Sequence, residues 1–315
     1  MNNRREFLKT AALAVAGGLV LPNLLSSCGT AGTNVKKHIG LQLYSLRDDI
    51  NNIGIRKVLE IVAKTGYVNL ETAGYGNGKI YGLDPAEFKK AVDDLGMKVT
   101  SAHLSRGISE DHDADMAWWN EAVSAHQAAG MKYMIMPWSP LSGEDATLDN
   151  VKRYGEYFNQ IGLITAAAGI KFGYHNHNFE FENKIDGVPV YDLLVENTSP
   201  DHVLFQNDVY WTQRGGYNPV DYLKKYPKRI QVLHIKDETA IGASKTMDFK
   251  AIFDQAYANG VVKDWYVEVE RYDTPSAEEA KKIAGKLKLD VSALTDSIAD
   301  VQKSYDFLAA AEYVK

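Results

Sequence analysis

Four residues of metal-ligating type recur at similar spacing through the second half of the chain. His175, Asp208, His234 and Glu268 are separated by 33, 26 and 34 residues. Each stands at the end of a short apolar run, in "IKFGYHNH", "HVLFQNDVYW", "IQVLHIKDE" and "WYVEVERY". A core strand gains nothing by ending this way, because a buried polar group costs free energy unless it is partnered. One strand-end His or Asp is ordinarily a hydrogen-bonded structural group. Four at matching intervals point instead to a divalent cation. Mixed imidazole and carboxylate donors suit Mn2+, Zn2+, Co2+ or Fe2+, with Mn2+ the leading expectation. Glu180, five residues beyond His175, is the alternative ligand from that segment.

Residues two apart on a strand share a face. His175 therefore goes with His177, His234 with Lys236, and Glu268 with Glu270. One member of each pair can hold metal while the other meets a substrate. A cation chelated by a carbonyl and its neighbouring hydroxyl acidifies the C–H between them, and a nearby carboxylate can take that proton. Glu268 and Glu180 are the candidate bases, and Lys236 could polarise an oxygen. Glu71, His103, Trp138, His177, Trp211 and Glu270 are candidate substrate contacts.

Positioning these groups requires alternating elements. Strand-like runs begin at His38, Tyr67, Lys98, Lys132, Ile170, His202, Ile230 and Trp265. All are short, apolar and bounded by turn residues, as buried parallel strands should be. Helical patterns lie between them. "GIRKVLEIVAKTG" sets Ile55, Val58, Leu59 and Val62 on one face and ends at Gly66 as C-cap. "DPAEFKKAVDDLG" opens with Asp84 as N-cap and Pro85 at the first helical position. Others start near Asp113, Thr147, Val190, Pro219 and Asp248, and a last one closes the chain.

Eight such units predict a single (β/α)8 TIM barrel over 38–315, whose functional groups sit at the C-terminal strand ends. A doubly wound open sheet is the alternative, weakened because no G-x-G-x-x-G follows the first strand. Residues 272–292 read as an excursion after the eighth strand that could cover one end of the barrel.

The chain has 315 residues, one cysteine and a formal net charge of -6. That balance disfavours a nucleic-acid surface, and one cysteine allows no internal disulfide. The opening "NNRREFLKTAALAVAGGLVLPNLLSSC" has a basic head, an apolar run and small residues before Cys28, which is the pattern of an export signal. The run is too short to span a membrane well. Its paired arginines resemble a twin-arginine signal. Leu25-Ser26-Ser27-Cys28 resembles a lipobox, with Cys28 lipidated after removal of 1–27. Residues 28–37 read as a flexible tether. The expected location is the periplasmic side of the membrane, held by the lipid anchor alone. Phosphorylated sugars are scarce there, so an unphosphorylated carbohydrate is the expected partner. Homo-oligomerisation is compatible with the sequence.

From about His38 onward the chain resembles the xylose-isomerase-like TIM barrels of the sugar isomerase/epimerase family. The matching stretches are "GYHNHNFEF", "FQNDVYWTQRGGYNP", "LHIKDE" and "WYVEVER". The resemblance implies metal ligands at the ends of strands five to eight, falling on His175, Asp208, His234 and Glu268. It favours an isomerase or epimerase acting through proton abstraction beside a carbonyl. One position departs: the family often has Glu at strand five, where this chain has His175. The epimerases use two glutamates on opposite faces of the reacting carbon, so inversion here would need Glu180, His177 or His103 as substitute. A β-eliminating lyase or hydratase acting on 3-keto-glycosides is therefore an alternative. A non-catalytic sugar-binding lipoprotein is another. The related barrels that cut DNA at abasic sites fit poorly with the acidic balance.

Overall fold

The computed structural model describes residues 37–270, 285 and 294–315. The segment 1–27 expected to be a signal, Cys28, the expected tether short of Lys37, and the stretch 272–292 apart from Gly285 lie outside these residues.

Eight parallel strands close into a barrel: β1 (Gly40–Gln42), β2 (Asn69–Thr72), β3 (Lys98–His103), β4 (Tyr133–Met136), β5 (Lys171–His175), β6 (Val203–Asp208), β7 (Ile230–Lys236) and β8 (Asp264–Glu268). Each pairs with its sequence neighbours, and β8 closes against β1. The chain thus folds as the expected (β/α)8 barrel. Helices cover the outside: α1 (Ile55–Thr65), α2 (Pro85–Asp93), α3 (His112–Ala128), α4 (Leu148–Ala167), α5 (Val190–Glu196), α6 (Val209–Arg214), α7 (Pro219–Lys225), α8 (Phe249–Asn259) and α9 (Ser297–Ala310).

Helix α1 shows why the pattern forms this layer. Ile55, Val58, Leu59, Ile61 and Val62 are buried against the barrel. The helix stops at Gly66, whose φ of 117° is left-handed. A Cβ there would also meet the Tyr305 ring at 2.5 Å, so only glycine fits. Asp84 stands at the N-cap of α2 in extended conformation, but its side chain makes no capping hydrogen bond. Pro85 at the first helical position supplies the start instead.

Two cores result from strand alternation. The larger lies between strands and helices, where Tyr174, Phe172 and Phe158 pack together. The smaller fills the barrel interior with Tyr133, Ile135, Leu204, Val232 and Tyr266. Gly173 on β5 faces this interior, and a Cβ there would strike Leu204 at 2.5 Å and Ile135 at 2.8 Å. Above that apolar layer, toward the strand C-termini, the inward positions turn polar: Gln206 and Asp208 follow Leu204, and His234 follows Val232. Apolar below and polar above is what sets the site on the barrel mouth.

Candidate metal centre and cleft

Strand register brings the four spaced residues together. Asp208 pairs with His234, Gln206 with His175, and Lys236 with Glu268. The four do not share one level. His175 sits beside the residue two below Asp208, and Glu268 two above His234. Side-chain length closes the gap, and one donor atom from each of His175, Asp208, His234 and Glu268 lies within 4.8 Å of the others. All four are buried. His103, His175 and His234 form an overlapping group with the same property.

Asp208 is held through one of its carboxylate oxygens. It caps α6, with Oδ1 accepting the Trp211 backbone N–H at 2.9 Å. Its Oδ2 is buried and has no hydrogen-bond partner. Burial first, then the Glu268 charge, outweigh Lys236 and His234 and push its carboxyl up to about 7. An orphaned buried oxygen is costly, and a cation among these donors would satisfy it. The residues fit a divalent metal on that ground.

His234 is oriented by carboxylates on both ring nitrogens. Nε2 makes a short hydrogen bond with Glu71 Oε2. Nδ1 lies 2.8 Å from Glu268 Oε2 and 4.0 Å from Asp208 Oδ2. Burial works to lower its pKa, but Glu71 and Glu268 more than offset this and raise it to about 10, so a cation held at Nδ1 would displace that proton.

Gln206 sets the other imidazoles. Its Nε2 donates to Glu71 Oε1 at 2.8 Å, which fixes the amide orientation. Its Oε1 then accepts from His103 Nε2 at 2.7 Å and from His175 Nδ1 at 3.2 Å. Donation from Nδ1 leaves the His175 Nε2 lone pair free for a cation. Burial and the neighbouring His234 and His103 hold His175 well below the usual histidine range, in the neutral form a ligand requires.

Glu71 anchors this layer. It also accepts from Gln42 Nε2 at 2.8 Å and from Ser101 Oγ. Burial tends to raise its pKa, but His103, His234 and these hydrogen bonds bring it to about 2. Glu71 was expected to touch substrate. It is instead fully buried beneath the mouth, because its depth on β2 puts it among the ligands' partners.

A cavity of about 410 Å³ opens above the cluster. His103, His175, His177, Glu268 and Glu270 line one part of it, and Tyr44, Tyr75, Trp118 and Trp138 another. Of the candidate substrate contacts, His103, Trp138, His177 and Glu270 line this cavity. Lys236 and Trp211 do not line it. Lys236 is buried behind the β8 carboxylates, 2.7 Å from Glu270 Oε2 and 3.8 Å from Glu268 Oε1. Its Nζ lies 5.1 Å from the Trp211 ring. Its charged partners are Glu268 and Glu270. Burial raises the Glu268 pKa, but Lys236 and His234 overcome this and keep it well below the usual carboxylate range.

Glu180 is the clearest correction. It neither joins the metal cluster nor lines the cavity. The chain turns after His175 into the one-turn helix Phe179–Glu182. That turn carries the Glu180 carboxylate outward to the Tyr174 hydroxyl and to the His177 backbone N–H, the latter at 2.8 Å. Sequence reading missed Gln206, although it shares a strand face with Asp208. It also missed Tyr44, Tyr75 and Trp118, which come from a 3-10 turn, a small hairpin and a helix, with no strand-end signal.

The family model for the xylose isomerase-like TIM barrel matches residues 58–289. This chain belongs to that family. A crystal structure of a sugar phosphate isomerase/epimerase from Parabacteroides distasonis ATCC 8503 is 36% identical, covers 89% of this chain and 100% of that one, and has a TM-score of 0.74. A second one from the same source is 33% identical over 90% of this chain and 100% of that one, with a TM-score of 0.75. A curated relative, the inosose dehydratase of Geobacillus kaustophilus, is 26% identical over 61% of this chain and 66% of its own length. The chain thus spans about two thirds of that relative. Together the fold and these relatives support an enzyme acting on sugars, and the donor cluster supports a divalent metal.

Proposed function

We propose that the protein is a divalent-metal-dependent lyase that removes the proton beside a ketone of an unphosphorylated sugar and expels the substituent on the next carbon. The carrying observation is the one-sided placement of carboxylates. Among the described residues, the two carboxylates that line the cleft are Glu268, which ends β8, and Glu270, two residues beyond it. The β5 side offers His175 and His177 instead. Epimerisation calls for proton removal on one face of a carbon and return on the other. Elimination requires one base and a departing oxygen.

A cation held by His175, Asp208, His234 and Glu268 would supply Lewis-acid stabilisation of the negative charge that builds on the ketone oxygen. Glu268, kept ionised by Lys236 behind it, accepts the α-proton. The C–H electron pair becomes the new C=C bond as the β C–O bond breaks. His177 lines the cleft and is held neutral, its pKa lowered to about 4 chiefly by burial. Its ring N–H donates a hydrogen bond to the departing oxygen, which leaves with the proton that Glu268 has taken. The products are an unsaturated ketone and an alcohol or water.

The name of the curated relative, a dehydratase, supports loss of a β-substituent. No Lys or Arg lines the cleft among the described residues, which supports a substrate without phosphate. The export-type N-terminus supports a site of action outside the cytoplasm. Epimerisation is the second reading, favoured by the names of the Parabacteroides distasonis structures, with a water on the β5 side returning the proton. Aglycone release from 3-keto-glycosides tests the proposal: it should stop on chelation and return with Mn2+. Release that survives chelation would contradict it.

A further inference from the structure

The cleft has a second half that elimination at the metal cluster does not use. Tyr44 follows β1, Tyr75 lies in the small hairpin after β2, Trp118 is on α3, and Trp138 follows β4. Four separate elements thus bring aromatic rings to one open cavity, opposite in the barrel order to the strands that carry the donors. Packing does not account for all of them. Trp138 is 54% and Tyr44 40% exposed, and both line the cavity. Large aromatic surface left in water at a cleft gains free energy when a ligand covers it.

Three of the four rings are braced by neighbours. Tyr75 packs edge-on against Trp118 at 5.4 Å and against the buried His126 at 4.8 Å. Trp118 meets the fully buried Trp119 edge-on at 5.1 Å, and Trp119 Nε1 donates to the Tyr157 hydroxyl at 2.9 Å. Arg47 lies 4.4 Å from the Tyr44 ring centre. Rings fixed in this way lose little freedom when a flat ligand face stacks on them, so they favour binding.

We infer that the cleft takes a two-ring glycoside. The ketone-bearing ring sits on the β5–β8 side, and the second ring, which leaves as the alcohol, stacks on Trp138, Tyr75 and Trp118. This rests on the proposed elimination, since it names the leaving group. The shared chemistry is a ring with an apolar face, supplied by an aryl group or by the C–H face of a second sugar.

Binding without turnover separates this inference from the reaction itself. Calorimetric titration would compare methyl β-glucoside, phenyl β-glucoside and cellobiose on the full protein, on Trp138→Ala and on Asp208→Asn. The expected result is that a two-ring ligand binds about 10-fold or more tightly than the methyl glucoside. Trp138→Ala should remove that preference, and Asp208→Asn should keep it. Preference for the phenyl glucoside alone would assign an aryl ring, and for cellobiose alone a sugar ring. Equal affinities, a preference that survives Trp138→Ala, or no saturable binding by any of the three would overturn the inference. A preference for two rings without any aglycone release from keto-glycosides would leave the subsite standing and sink the elimination.

Discussion

Glu71 on β2 and His234 on β7 are joined across the barrel interior by a short hydrogen bond between Oε2 and Nε2. With Nε2 committed to Glu71, the imidazole presents Nδ1 to Asp208 and Glu268. Partners of this kind fix the orientation of a metal ligand, and their loss costs about 10 to 100-fold in metal affinity. Glu71→Gln should therefore weaken Mn2+ or Zn2+ binding by about that factor while the barrel stays folded. Competition with a chromogenic chelator, alongside circular dichroism, measures both.

Asp208 does two jobs that substitution can separate. Asparagine keeps an oxygen to accept the Trp211 N–H but removes the ligand charge, whereas alanine removes both. Both variants should lose metal binding and activity. Only Asp208→Ala should also lose about 1 kcal/mol from the α6 cap, read as a lower midpoint in urea unfolding. Equal stability of the two variants would argue against the capping role.

Glu180 carries a pH prediction. Burial raises its carboxyl from 4.5 to about 7 in the folded chain, against the lowering effect of Tyr174 and the backbone donors. A raised folded-state value means that the group stabilises the fold below pH 4.5 and that this contribution is lost as pH rises through 7. The loss is about 3 kcal/mol. Glu180→Gln can still accept the His177 N–H and can donate to the Tyr174 oxygen. Its stability should therefore fall less than that of the parent between pH 5 and 8. Because Glu180 lies outside the cleft, metal binding should not change.

His177 should matter for turnover and not for metal. His177→Ala is expected to lower kcat by about 100-fold or more, the usual scale for a lost hydrogen-bond donor to a developing oxyanion. Chelator competition should give an unchanged metal affinity. A loss of metal instead would move His177 into the ligand set.

The barrel was legible because buried parallel strands are short apolar runs, and the helices between them carry a one-sided apolar stripe. The metal cluster was legible for a related reason: polar residues at the ends of apolar strands stand out. Depth was not legible. Strand alternation shows that Glu71 and Lys236 face inward, but not that one lies beneath the ligands and the other behind the β8 carboxylates. Glu180 was misread because the two-residue period ends with β5 at His175, and the short helix that follows turns the side chain outward. The aromatic half of the cleft depends on how a hairpin, a helix and two strand-end loops fold over the mouth, and no local pattern announces that.

The most direct test of the central claim is proton NMR in D2O of a 3-keto-glycoside treated with the protein and Mn2+, with Asp208→Asn as control. Free aglycone together with an unsaturated ketone, both absent from the control, is the result expected of a metal-dependent eliminating lyase. Deuterium entering a carbon of an otherwise intact sugar, with no aglycone released, would contradict elimination and establish the epimerase reading in its place.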